Sequence, residues 1–128
     1  MTVRIVRLGC KRFRHEGLRI GTVRRPPRGV PKSQYSTRNW YDVWFPELAP
    51  SAELLKKTKT FTTERDWTIF KKKYRAEMAA HDKDRLLILL AAMSHQADFS
   101  VDCYCAEESR CHRSVLRALL MERGALVE

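Results

Sequence analysis

The chemically densest stretch of the chain is Cys103-Tyr104-Cys105-Ala106-Glu107-Glu108-Ser109-Arg110-Cys111-His112-Arg113-Ser114. It grows out of an alternating run, Phe99, Val101, Cys103 and Cys105 against Ser100, Asp102 and Tyr104, which reads as a strand near the centre of a sheet. It leads into a helical pattern from about Cys111 to Arg123, stopped by Gly124. A helix that starts beyond the carboxyl end of a strand turns its free N–H groups and the positive end of its dipole towards an anion. Arg110 and Arg113 add charge at that point and Ser114 adds a hydroxyl, so the segment suits a phosphate or a carboxylate. Cys111, at the helix start beside Arg110 and His112, is placed for a lowered pKa. Cys111 and His112 are therefore the candidates for nucleophilic or redox work.

Other readings of the same residues stay open. Cys103, Cys105, Cys111 and His112 could supply four zinc ligands. Against this, Cys-x-Cys on an extended strand puts both sulfurs on one face without the tight turn of a zinc knuckle, and no metal or cofactor is assigned. The phosphate loop of tyrosine phosphatases, a cysteine and an arginine separated by five residues, is not met, because the residue at that distance from Cys105 is Cys111. Finally, Cys103 and Cys105 could be small core residues and His112 a buried ring satisfied by backbone, with the arginines paired to Glu107 and Glu108.

Arg25, Arg28 and Gly29 form a second constellation. Three prolines in Arg24-Arg25-Pro26-Pro27-Arg28-Gly29-Val30-Pro31 exclude helix and fix the backbone, so both guanidinium groups can face a ligand with little entropy left to lose. The expectation is one anion pocket built from this loop and the Arg110 to Ser114 helix start, taking a phosphate-bearing small molecule or a nucleotide. The charge distribution permits an alternative. Residues 1–38 hold 11 of the 25 Lys and Arg and one acid, Glu16, while the rest of the chain balances 14 bases against 14 acids. The whole net charge of +10 is thus N-terminal, and with Tyr35, Trp40 and Tyr41 as stacking groups this third of the chain could bind nucleic acid.

The elements that must position these residues follow from pattern. Val3 to Leu8 and Leu18 to Val23 read as strands, and Trp40, Tyr41, Trp44 and Phe45 as packing that anchors the proline loop. Ser51 caps a short helix through Lys57. Thr63 with Asp66 forms a capping box before a helix to Ala80, whose Trp67, Phe70, Tyr74 and Met78 face the core. Asp84 is expected to cap a helix to Met93 that is apolar nearly all round and buried beside the sheet. The order implies an α/β fold, a mixed or largely parallel sheet flanked by helices, and 128 residues suffice for a single domain spanning 1–128. The longest apolar run, Leu86 to Met93, is far short of a membrane span. Arg4 and Arg7 interrupt the stretch where an export signal would need its apolar core, so a cytoplasmic protein with reduced cysteines is expected.

The series Arg25-Pro26-Pro27-Arg28-Gly29-Val30 with Lys32, Trp44, Leu48-Ala49-Pro50-Ser51, Trp67, Phe70 and Tyr74, then Cys103-Tyr104-Cys105-Ala106-Glu107 and Cys111-His112-Arg113, resembles the YeaO-like branch of a widespread bacterial domain-of-unknown-function family. The similarity runs from about Arg4 to Leu120. Where members usually carry a tryptophan before Pro-Arg-Gly, this chain has Pro26. The resemblance implies a small cytosolic α/β domain and brings no activity, substrate or cofactor.

Overall fold

The structure, a computed structural model, describes residues 1–105 and 111–128. Its centre is β4 (Phe99–Cys103), every residue of which is buried. β1 (Val3–Arg7) pairs with one side of β4 and β2 (Leu18–Gly21) with the other, and β3 (Val43–Trp44) extends β2. The order is β1-β4-β2-β3 and every pairing is parallel, with Ile5 and Ile20 both in register with Val101. Parallel strands need coverage on both faces. On one face Val3, Ile20, Phe99 and Val101 meet apolar side chains from four helices, α1 (Ala52–Thr58), α2 (Glu64–Met78), α3 (His81–Met93) and α4 (His112–Glu122). On the other face the register sets Arg19 beside Ser100 and Gly21 beside Asp102. That face is polar yet buried, because the backbone around Cys10 and Asn39 and the ring of Tyr41 close over it.

The local signals act as expected in α1, where the Ser51 hydroxyl accepts from the Leu54 amide, and in α2, where Thr63 and Asp66 complete the capping box. Three expectations are corrected. α3 starts at His81 rather than at an Asp84 cap, and the Asp84 carboxylate instead takes two donors from Arg123, at 2.7 and 2.9 Å. α3 is also a surface helix. Leu87, Leu90 and Ala91 reach the core, while Ile88 and Leu89 point away from it and are 51% and 56% exposed. Third, β4 stops at Cys103 with a bend at Tyr104, so Cys105 lies beyond the strand. Among the described residues no helix is long and apolar enough to cross a membrane.

Gly17 sets the entry to β2. Its φ is +74°, and a Cβ there would stand 1.9 Å from the Asp98 carbonyl oxygen, so no rotamer relieves the clash. Gly17→Ala should lower unfolding free energy by about 2 kcal/mol, read as a shifted denaturant midpoint with unchanged slope.

Candidate functional site

Beyond β2 the chain runs through Thr22 and Val23 into the proline loop. Arg24 ties the loop's root to the start of α1, with Nε donating to the Pro50 carbonyl at 3.0 Å and Nη2 to that of Ala49 at 3.1 Å. The Tyr104 hydroxyl, just beyond β4, donates to the Arg25 carbonyl at 2.8 Å, and the Trp44 indole donates to that of Val23 at 2.8 Å. Gly29 turns the loop with φ +72°. These ties leave the exposed side chains of Arg25 and Arg28 on the rim of a cleft of about 1230 Å³ above the carboxyl ends of β2 and β4, the usual ligand position in parallel sheets.

Further lining comes from α1 and the segment after it, with Lys56, Lys59 and Phe61, and from α2 with Trp67. Cys103, Cys105, Cys111 and His112 form the floor. Among the described residues, Arg24, Arg25, Arg28, Lys56 and Lys59 line the cleft with one acid, Glu53, so this part of the lining is strongly positive.

On the floor, the sulfurs of Cys103 and Cys105 are 3.9 Å apart, and Cys111 Sγ is 3.7 Å from His112 Nδ1. His112 Nε2 lies 2.8 Å from the Thr22 carbonyl. A carbonyl only accepts, so Nε2 carries the proton, and in the neutral ring Nδ1 keeps its lone pair towards Cys111. The thiols share charge unequally. Hydrogen bonds from Cys103 and Cys111 pull the Cys105 thiol well below its ordinary value, with the Arg113 guanidinium assisting. Cys111 is lowered, chiefly by its hydrogen bond with Cys103, and Cys103 is pushed up by its two sulfur neighbours and by burial.

The cleft thus collects Arg25, Arg28, Cys111 and His112, residues nearly ninety positions apart in the chain. Arg113 is elsewhere. It is 3% exposed, does not line the cleft, and donates from Nη2 to the Cys105 carbonyl at 2.7 Å. The Ser114 hydroxyl is turned back on its own helix, donating to the Cys111 carbonyl at 3.0 Å. Arg110 lies outside the described residues, as do Glu107 and Glu108. Tyr41 is buried, and Tyr35 and Trp40 pack around it, so these three rings form a small core rather than a stacking surface.

Two groups escaped the reading of the sequence. Lys56 and Lys59 carry an ordinary signal, a basic run on a short helix, and only the fold turns them towards the arginines. The ion pair of Glu16 with Arg19, both essentially unexposed, sits among surface-type residues with nothing local to mark it as interior.

These features define a class: a small parallel α/β domain with a basic cleft at its strand ends and a floor of three cysteines and a histidine. Residues 3–124 match the family described as the active DUF488-N3 subclade, and the chain belongs to this DUF488 family, of which YeaO is a member. Comparison with curated proteins and with solved structures finds no match.

Proposed function

We propose that the cleft binds a phosphate-bearing small molecule, with a nucleotide the best fit to its walls. The observation that carries this reading is that Arg25, Arg28, Lys56 and Lys59 line one cavity. Arginine forks take phosphate oxygens in bidentate fashion, and lysines supply mobile point charges. Phe61, Trp67 and Tyr104 offer flat apolar area for a base. A volume of about 1230 Å³ accommodates a ligand of that size with solvent to spare.

The test is titration of the full chain with inorganic phosphate, AMP, ADP and ATP, followed by calorimetry and thermal unfolding at several salt concentrations. Saturable binding that tightens with phosphate number, raises Tm by several degrees and weakens only shallowly with salt is expected. No heat and no Tm shift with any of the four would refute the reading. Tighter binding to a single-stranded oligonucleotide than to any nucleotide, with a steep salt slope, would transfer the basic surface to the nucleic-acid alternative.

A further inference from the structure

We propose that Cys103, Cys105, Cys111 and His112 bind one zinc ion at the cleft floor. Zinc takes thiolate sulfur at about 2.3 Å and imidazole nitrogen at about 2.0–2.1 Å in a tetrahedron. The ligand atoms then stand about 3.8 Å apart sulfur to sulfur and about 3.6 Å sulfur to nitrogen. The Cys103–Cys105 sulfurs at 3.9 Å and the Cys111 Sγ–His112 Nδ1 pair at 3.7 Å are two opposite edges of such a figure. The ligand atoms of Cys103, Cys111 and His112 lie within 4.8 Å of one another, and Cys105 joins this triplet through its contact with the Cys103 sulfur. Closing the tetrahedron requires the Cys105 side chain to rotate towards Cys111 and His112.

The surroundings match a metal centre in two further respects. A ligating histidine commonly donates its second N–H to a carbonyl, which fixes the tautomer and aims the free lone pair. His112 does this with the Thr22 carbonyl, leaving Nδ1 as the donor atom towards the sulfurs. Three thiolates and a neutral imidazole on a divalent ion leave one negative charge. The buried guanidinium of Arg113, held on the Cys105 carbonyl, lies beside it as a counter-charge. The bend at Tyr104 supplies what an extended Cys-x-Cys lacks, because it swings Cys105 back towards Cys103.

A four-ligand site is closed, so the ion would be structural. It would clamp the end of β4 to the start of α4 and, through Thr22, to the root of the arginine loop. Cys111 and His112 then hold metal instead of attacking a substrate. The site would load whether or not the cleft takes an anion.

Elemental analysis of the full chain, purified without chelator, should give one zinc per chain. Cobalt(II) reconstitution should give the intense visible bands of a tetrahedral ion and a near-ultraviolet thiolate-to-cobalt band. Cys105→Ser, at an exposed position that tolerates the change, should weaken zinc by more than about 100-fold and alter the cobalt spectrum. Cys10→Ser, at the one cysteine outside the cluster, should leave both unchanged. Absence of zinc from the wild-type chain together with failure of the apo form to take cobalt, or a Cys105→Ser variant that loads as wild type does, would overturn the proposal. Phosphate and nucleotide titrations on the same samples report separately on the anion reading.

Discussion

Replacing Arg19 by methionine should destabilise the fold by about 3–5 kcal/mol, measured by chemical denaturation. Arg19 has no exposed surface, and its guanidinium reaches Glu16 from Nε at 2.7 Å and from Nη2 at 2.8 Å. Nη1 adds bonds to the Cys10 and Asn39 carbonyls at 3.0 and 2.8 Å, so one side chain pins both segments that cover the polar face of the sheet. Without it, Glu16 would be a buried carboxylate short of its main partner, and two carbonyls would lose a donor. Glu16→Gln should be damaging for the same reason. The double variant should recover part of the loss, because removing both charges removes the desolvation penalty with them.

The pH dependence separates this ion pair from simple packing. Burial raises the pKa of Glu16, but the Arg19 guanidinium, the Phe13 amide and the Ser100 hydroxyl outweigh it and hold the carboxyl below its ordinary value. A depressed carboxylate contributes stability that is complete above the unfolded-state pKa and is lost as pH falls through the folded one. In Arg19→Met burial prevails and the sign reverses, so Glu16 penalises the fold increasingly as pH rises. The difference in stability between wild type and variant should therefore widen from acid to neutral pH. A difference that stays flat would mean the pair contributes only packing.

The second large effect concerns ligand affinity. Arg25→Ala with Arg28→Ala should weaken nucleotide binding by about 100-fold, since each lost charge-assisted hydrogen bond removes about 1.5–3 kcal/mol and the two act on one ligand with incomplete additivity. Both side chains are exposed, and the loop is held by the Arg24 guanidinium and by the Arg25 carbonyl, which the substitutions leave in place. Tm of the unliganded protein should move little, while the Tm rise produced by ATP should disappear. Affinity unchanged in the double variant would place any anion site away from this loop.

Much of the architecture was legible along the chain. The period-two run at Phe99–Cys103, the stripe of Phe70, Tyr74 and Met78, the caps at Ser51 and Thr63 and the stop at Gly124 are local rules, and local rules are written in neighbouring residues. The proline loop and the Cys-His-Arg start of α4 stand out for the same reason, because their residue types are unusual at that density. What required the folded chain was everything that depends on distance across it. Charge type at Lys56 and Arg113 is the same, yet one faces the cleft and the other is buried under a carbonyl, because a helix face is assigned by what packs on it. Apolar content likewise did not bury Ile88 and Leu89, since the core-facing side of α3 is the one that carries Leu87, Leu90 and Ala91. Glu16 and Arg19 became interior only when two loops closed over a sheet face. The Cys103 and Cys111 sulfurs met the His112 imidazole through the fold alone, and Cys105 reached the Cys103 sulfur only because β4 ended at Cys103 and the chain bent at Tyr104, which no periodicity encodes.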